Sequence, residues 1–379
     1  MTNRHKPHHR PLIDQIPDHN PYDVDLDVSD EEDAFYAVDE GDYLLHPKWR
    51  ALIVRTSNRI PRRLQRYIVI CFFAAVVFLT VWFGLIWPRY STYMQDTWDM
   101  DAAPKNRFGL NKRPEFKDLL QVGKLDERFL PKGDGRLVVV GDVHGCRKEL
   151  DQLLRKSLFR EGRDHLVLTG DIIAKGPDSS GVVDMARRLN ASCVRGNHED
   201  RVLLSLAEIT SVNPLGPDAP IEQSLTERDY ATRNLAKSFS EDQISYLKSC
   251  PVILDVGTIG TLHNIAIVHA GLVPDVAFED QDPYQVMNMR SIVLKTRVPS
   301  ETREGKPWEM FWNHQQKKKP EDQQMNVIYG HDSKRGANFQ KFSFGLDSGC
   351  VSGGRLTAML IRESGDYSFV MVDCKEHGK

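Results

Sequence analysis

Five short motifs between residues 141 and 331 combine metal-ligand side chains with glycine. Each holds an Asp, a His or an Asn beside a glycine, and at least four follow an apolar run typical of a β-strand. Together they predict a dinuclear metal site, whose characteristic chemistry is the hydrolysis of phosphoesters or phosphoanhydrides. The motifs are Gly141-Asp142-Val143-His144-Gly145, Gly170-Asp171-Ile172-Ile173-Ala174-Lys175-Gly176, Arg195-Gly196-Asn197-His198-Glu199, His269-Ala270-Gly271-Leu272 and Gly330-His331.

The spacing of the motifs predicts that their ligands lie along one edge of a sheet. Asp142 and His144 stand at i and i+2 after an apolar run, Asp171 follows Asp142 by 29 residues, and Asn197 follows Asp171 by 26. Each interval suits one βα crossover, and the ligands of open α/β sheets collect at the carboxyl ends of the strands. Two histidines after later strands complete the set. The predicted metal ligands are Asp142, His144, Asp171, Asn197, His269 and His331.

The ligand types indicate the metals and the roles of the neighbouring side chains. Asp171 is central and is the expected bridging carboxylate, and a mixed N and O set without thiolate suits two zinc ions, or Mn, Co or Fe. His198 would crowd its neighbour as a ligand, so we expect it to be the general acid or the residue that orients phosphate. Lys175, Arg195 and Arg335 are the cations expected to bind phosphate, although Arg335 fits a solvated surface charge nearly as well.

The apolar segments alternate as β-α-β-α-β and predict a layered α/β domain. We expect two layers of sheet flanked by helices, with residues 210–240 as an insertion near the site. The last three strands alternate apolar and polar residues, which favours antiparallel pairing. Predicted strands are 136–140, 165–169, 191–194, 265–268, 327–329, 342–346, 355–361 and 368–372, and predicted helices are 147–158, 180–189 and 199–209.

An uncharged stretch of 21 residues, 67–87, is long enough to cross a bilayer as a helix. Five arginines precede it closely and one follows, so the positive-inside rule predicts a type II anchor with residues 90–379 in a lumen or outside the cell. The predicted organisation is an acidic, disordered cytosolic tail (1–46), a basic juxtamembrane segment (47–66), the transmembrane helix (67–87), a lumenal stalk (88–133) and the catalytic domain (134–379).

Charge and cysteine usage narrow the function classes further. Residues 1–46 carry a net charge of −9 and residues 47–90 carry +8, so the remainder is nearly neutral and has no basic field to attract nucleic acid. Five cysteines follow the apolar stretch, an odd number without a CxxC pair, and we expect Cys146 and Cys193 to be small buried side chains. The sequon at Asn190 is compatible with glycosylation in a lumen.

The motifs resemble those of the phosphoprotein-phosphatase superfamily, the calcineurin-like metallophosphoesterases. The pattern GDxHG, GDxx(D/A)(R/K)G, GNHE, H(A/G)G and GH occurs in order over residues 136–331, and residues 347–358 resemble the bacterial-type branch that includes diadenosine tetraphosphate hydrolases. The resemblance implies the same six ligands, with His198 as the catalytic histidine beside the bridging Asp171, and Lys175 and Arg195 as phosphate-binding cations.

Two departures from the family pattern indicate the substrate class. Ala174 and Lys175 stand where protein Ser/Thr phosphatases have Asp and Arg, so the partner of the catalytic histidine is missing and phosphoanhydrides are favoured. The membrane anchor makes the chain similar to the fungal vacuolar zinc-dependent endopolyphosphatases, which implies inorganic polyphosphate as substrate in the vacuole lumen. The alternatives are a lumenal phosphoprotein phosphatase, a dinucleoside polyphosphate hydrolase, or a catalytically dead membrane-tethered binding protein. The sequence leaves the oligomeric state open.

Overall fold

The computed structural model describes residues 47–57, 61–103, 119–210 and 226–377, so the predicted acidic tail lies outside the described residues. The helices within these ranges are α1 (Pro47–Ser57), α2 (Arg62–Val81), α3 (Trp87–Asp101), α4 (Arg147–Lys156), α5 (Ser179–Arg188), α6 (Asn197–Thr210), α7 (Glu227–Ser238), α8 (Glu241–Ser249), α9 (Pro283–Asn288) and α10 (Trp308–Gln316). A π-helical turn, Trp82–Ile86, joins α2 to α3, and short 3₁₀ turns occur at Glu127–Phe129, Gly260–Leu262, Phe278–Asp280 and Glu321–Gln323.

Within the described residues, the strands form two six-stranded sheets and one small sheet. The first sheet has the order β1-β5-β6-β10-β12-β11, the second has β13-β14-β2-β3-β4 with β15 beside β14, and the third has β8-β7-β9. The strands are β1 (Val122–Lys124), β2 (Arg136–Val140), β3 (His165–Leu168), β4 (Ser192–Cys193), β5 (Ile253–Thr258), β6 (Asn264–Val268), β7 (Ser291–Val293), β8 (Val298–Ser300), β9 (Lys306–Pro307), β10 (Met325–Tyr329), β11 (Asn338–Phe339), β12 (Ser343–Gly345), β13 (Asp347–Ser348), β14 (Arg355–Arg362) and β15 (Tyr367–Asp373).

The alternation of side chains along β2 shows how the layers form. Leu137 and Val139 pack between the two six-stranded sheets, whereas Val138 and Val140 pack against helices on the outer face. Successive residues of a strand point to opposite faces, so a strand buried on both sides reads as a continuous apolar run. The parallel order of β2, β3 and β4 brings the ends of these strands, and the motifs that follow them, to one edge.

The expected two-layer α/β architecture is confirmed, while the pairing of one predicted strand differs. β14 pairs antiparallel with β2 and β15, as the alternating sequence predicts. The prediction of antiparallel pairing for residues 342–346 is wrong for their main partner, because β12 runs parallel to β10 and is fully buried. Alternation favours antiparallel pairing because such sheets often expose one face to water, whereas β12 is buried on both faces, as the strands of parallel sheets usually are.

The segment predicted as a stalk enters the first sheet. β1, at residues 122–124, pairs parallel with β5. The end of α3 also contacts the catalytic domain, where Asp96 forms an ion pair with Lys306 at 2.8 Å and Arg297 donates to the carbonyl oxygen of Ala102 at 2.8 Å. Within the predicted insertion, α7 packs against α6, and residues 211–225 lie outside the described part.

Two disulfides cross-link the domain. Cys193 pairs with Cys250, and Cys350 pairs with Cys374. Cys193 is buried, as expected, and its disulfide has no signal in the sequence, because 57 residues separate it from a partner that only the fold brings close. Cys146 is buried and free, as expected, which explains the odd number of cysteines. Asn190 is exposed at the end of α5, so its glycosylation stays a prediction.

Candidate metal centre

Three of the predicted ligands have a strained backbone. His144, Asp171 and His331 have φ values of 45°, 45° and 72°, in the left-handed region that non-glycine residues rarely adopt. Such a conformation costs about 1–3 kcal/mol and persists only where the surrounding structure enforces it, most often at functional sites. Two neighbouring glycines allow the loops to pack this closely. A Cβ at Gly330 would overlap the carboxylate of Asp142, and a Cβ at Gly196 would overlap Asp171.

Asp171 lies at the centre of two groups of candidate ligands. In the first group, its Oδ2 is 3.4 Å from Nε2 of His144 and 4.0 Å from Nε2 of His198. In the second group, its Oδ1 is 3.3 Å from Nε2 of His269, which lies 3.2 Å from Nδ1 of His331. Within each group the ligand atoms lie within 4.8 Å of one another. The shared carboxylate therefore has the position expected of a bridge between two cations.

Asn197 completes the centre beside Asp171. One atom of its amide lies 3.1 Å from Nε2 of His269. When the amide is oriented with its nitrogen at this position, the nitrogen also donates to both carboxylate oxygens of Asp171 at 3.2 Å. Both oxygens of Asp142 accept from the backbone N–H of His331 at 3.1 Å. Burial, together with the neighbouring carboxylates of Asp347 and Asp171, holds the pKa of Asp142 well above its usual range.

The outer ring nitrogens of three histidines already have partners. Nδ1 of His269 lies 2.9 Å from the carbonyl oxygen of Thr169, Nδ1 of His144 lies 3.2 Å from that of Ile173, and Nε2 of His331 lies 3.0 Å from that of Asn288. A ring N–H held by a carbonyl leaves the other nitrogen unprotonated and aimed at the centre, which is the usual arrangement of metal-binding histidines. These residues therefore fit a pair of divalent cations with N and O ligands.

Glu199 holds the two central loops together, a role that the sequence analysis did not assign. Its buried carboxylate accepts from the backbone N–H groups of Asp171 at 2.8 Å, Ile172 at 2.9 Å, Ile173 at 3.1 Å and Gly196 at 2.9 Å. Burial and the charge of Asp171 raise the pKa of Glu199 to about 7. Glu199 is the last residue of the Gly-Asn-His-Glu motif, so its place in the motif was the available signal.

The predicted phosphate-binding cations occupy different surroundings. Nζ of Lys175 lies 2.9 Å from Nε2 of His144, directly at the first ligand group. Arg195 is buried, with Nη1 3.6 Å from Asp200 and Nη2 3.3 Å from the carbonyl oxygen of Lys248. Arg335 pairs with Glu309 at 2.5 Å and with Asp332 at 3.0 Å. The structure thus brings Lys175 to the centre, while contacts of Arg195 and Arg335 with phosphate stay predictions.

Arg290 is a further cation beside the second ligand group, and no motif marked it. It follows α9, is half-buried, and its charge helps to lower the pKa of His331, a candidate ligand, after burial and His269. Its Nε lies 3.8 Å from Asp332, the residue after His331. Sequence spacing offers no signal for it, because only the packing of α9 beside the centre brings it near.

The surroundings of His198 set its charge state. Burial, opposed by Asp171 and assisted by Lys175, lowers the pKa of His198 to about 3. Its ring stands edge-on to that of His144 with centroids 5.0 Å apart. Near neutral pH, His198 is therefore a neutral imidazole that can donate one hydrogen bond and accept another.

Comparisons with known proteins agree with this geometry. The sequence model of the calcineurin-like phosphoesterases matches residues 135–361. A zinc-dependent endopolyphosphatase of Saccharomyces cerevisiae is 28% identical over 264 residues, which cover 62% of this chain and 80% of the yeast protein. A symmetrical bis(5'-nucleosyl)-tetraphosphatase of Proteus mirabilis is 31% identical over 138 residues, 36% of this chain and 44% of that protein.

One solved structure is similar over most of its length. A crystal structure provisionally described as a diadenosine tetraphosphatase has a TM-score of 0.53 and 32% sequence identity, and the match covers 68% of this chain and 99% of that one. The match to the Proteus enzyme, by contrast, spans less than half of that protein. The two kinds of relative act on different phosphoanhydrides according to their names, so they agree on the bond class and differ on the substrate.

Proposed function

Since the chain belongs to the calcineurin-like phosphoesterase family and is therefore a metal-dependent hydrolase, we propose that it cleaves phosphoanhydride bonds within inorganic polyphosphate. The observation that carries the proposal is the pair of ligand groups that share Asp171, with Lys175 at one of them. Two zinc ions are the proposed cofactor, in keeping with the N and O donor set, and Mn, Co or Fe would also suit it.

The bound cations and the side chains of the centre have different roles in the proposed reaction. When bound, two divalent cations activate water and neutralise the charge of phosphoryl oxygens. The amine of Lys175 contacts the nitrogen of His144 that faces the centre, so a cation held by His144 would leave the ammonium group of Lys175 without this partner. Its ammonium group is then available to a phosphate oxygen beside the centre.

His198 acts on the phosphate rather than on the metal in this proposal. As a neutral imidazole it orients a phosphoryl oxygen through one hydrogen bond. It delivers a proton to the leaving oxygen only when the negative charge of bound phosphate raises its pKa. The leaving group of a phosphoanhydride is a stabilised phosphate anion, so the reaction depends less on a strong acid than the hydrolysis of an alkyl phosphoester does.

Features of the chain support polyphosphate over the alternative substrates. Ala174 stands where a protein phosphatase has the Asp that supports the catalytic histidine, which disfavours phosphoproteins. The match to the endopolyphosphatase covers 80% of that relative, whereas the match to the tetraphosphatase covers 44%. A dinucleoside polyphosphate hydrolase is the second candidate, because Tyr284 on α9, whose neighbours include Arg201, presents a half-exposed ring that could stack on a base.

The first test is a metal-reconstitution assay on the full chain in detergent. After chelation, long-chain polyphosphate, diadenosine tetraphosphate and a phosphopeptide are each incubated with Zn, Mn, Co or Mg, and polyphosphate products are sized on a gel. We expect metal-dependent shortening of polyphosphate to intermediate lengths and slow turnover of the other two substrates. Intact polyphosphate beside rapid cleavage of diadenosine tetraphosphate would contradict the proposal and favour the second candidate.

We also propose that the chain is a single-pass type II protein of the vacuolar membrane with its catalytic domain in the lumen. One helix among the described residues, Arg62–Asp101, is long and apolar enough to span a bilayer. Arginines cluster before its apolar stretch, and both disulfides lie after it. Disulfides persist in oxidising compartments and are rare in the cytosol, so their position supports a lumenal domain.

Protease protection on sealed membrane vesicles checks this topology. With the cytosolic face outward, trypsin should remove only the first 66 residues and leave a fragment that contains residues 89–379. Detergent should expose this fragment to digestion. Degradation of the catalytic domain in intact vesicles would place it in the cytosol and overturn the proposed orientation.

A further inference from the structure

Arg201 is a cation beside the centre that forms no ion pair with the described residues. It lies on α6 three residues after His198 and four after Asn197, so it shares their face of the helix, where side chains are about 5–6 Å apart. Its charge joins that of Lys175 in lowering the pKa of His198, after burial, and it also acts on Tyr284 of α9, the helix that packs against α6, and on Asp229 of α7, whose carboxylate is capped by Thr226. Arg201 therefore lies at the first ligand group.

Arg303 is a second cation with unused charge, at the other ligand group. Its guanidinium contacts Asp332, which follows the ligand His331. Asp332 also faces Arg335 at 3.0 Å and Arg290 at 3.8 Å, and one carboxylate cannot neutralise three guanidinium groups. Arg303 is the outermost of them, with 39% of its side chain exposed.

Asp332 and the three arginines form a cluster, and the other acids near it already contact other groups. Glu309 pairs with Arg335 at 2.5 Å, and the hydroxyl of Tyr284 donates to Glu301 at 3.3 Å. Glu301 is exposed, so water screens its charge more than it screens the buried carboxylate of Asp332. Arg303 is thus the member of the cluster best placed to receive an anion from solvent.

We propose that Arg201 and Arg303 bind the phosphate groups that flank the scissile anhydride, one beside each ligand group. The inference rests on the proposed function and deepens it. Polyphosphate carries negative charge on every phosphate. A polyphosphate molecule that binds across the shared Asp171 therefore has one cation beside it near His198 and another near His331. Phosphates held at both places position an internal bond at the centre, and cleavage then yields products of intermediate length.

The test compares substrates of different length with variants that remove one charge each. For Arg201→Gln and Arg303→Gln in the full chain, we expect KM for long-chain polyphosphate to rise about tenfold each, as for loss of one charge-assisted hydrogen bond. The double variant should show about a hundredfold rise, with a smaller change in kcat. Tripolyphosphate should be affected less, because it is too short to use both cations fully.

A matched control removes an arginine far from the centre. Arg155 is exposed on α4 and pairs with Asp151 at 2.8 Å, and Arg155→Gln should leave KM unchanged. Unaltered KM in both test variants, or an equal loss of kcat on both substrates with a lower melting temperature, would overturn the inference. In either case, cleavage of polyphosphate by the wild type would leave the proposed function standing. A wild type that cleaves no polyphosphate would overturn the proposed function, and this inference with it.

Discussion

Replacing Asp171 with asparagine should lower kcat on polyphosphate by about a thousandfold or more, which exceeds the loss seen when one electrostatic contact to a transition state is removed. Asp171 is the only side chain shared by the two ligand groups in the described part of the chain. Asparagine keeps its shape and removes the negative charge that brings two cations together. The variant should therefore also bind less metal, measured by elemental analysis after dialysis.

The control for this variant is a carboxylate outside the centre. Asp151 lies on α4, pairs with Arg155 and is partly exposed, so Asp151→Asn should retain activity and metal content. A melting curve for Asp171→Asn separates loss of metal from loss of fold. If the variant kept two metals and near-normal kcat, Asp171 would not be the bridge and the assignment of the two groups would fail.

Replacing His198 with glutamine is expected to lower kcat by about a hundredfold or more while metal content stays normal, as for loss of a positioned acid or base. Glutamine retains a hydrogen-bond donor and cannot deliver a proton from a titrating ring. His198 lies farther from Asp171 than His144 does, at 4.0 Å against 3.4 Å, which fits a residue that contacts substrate. Steady-state kinetics and elemental analysis on the same sample measure both quantities.

The choice of substrate separates the two roles open to His198. If it supplies a proton, the loss should be smaller for p-nitrophenyl phosphate, whose leaving group is weakly basic, than for an alkyl phosphate. If it only orients phosphate, the two losses should be equal. The matched control is the same substitution at His165, a buried histidine that stacks on Phe129 and lies 2.9 Å from the hydroxyl of Ser192. Loss of metal from His198→Gln would reassign His198 as a ligand.

The sequence predicted the elements that carry local signals. Apolar runs followed by Gly-Asp or Gly-Asn marked β2, β3 and the start of α6, because a buried strand and a tight turn are both encoded within a few residues. His144 and Asn197, which these motifs predict, lie beside Asp171, since parallel neighbouring strands bring their ends together. Helices α4 and α5 were predicted from 3–4 spacing to within two residues.

Contacts that depend on distant segments could not be predicted in this way. Cys193 and Cys250 are close only because α8 packs against α5 and α6, and the parallel pairing of β12 with β10 depends on the path of the intervening residues. The surroundings of Arg195 also arise from tertiary packing, against Asp200 and the end of α8. Glu199 was visible in a motif, yet its four backbone contacts required the fold.

The disulfide between Cys193 and Cys250 has a consequence for when the protein becomes active. It fastens β4, the strand that leads directly into the loop of Asn197, to the end of α8. A chain newly made in the reducing cytosol would carry thiols at both positions, and at Cys350 and Cys374 as well. With the proposed lumenal topology, oxidation during export would act as a maturation step, and the proposed phosphoanhydride hydrolase would stay immature until it had been separated from the cytosolic nucleotides.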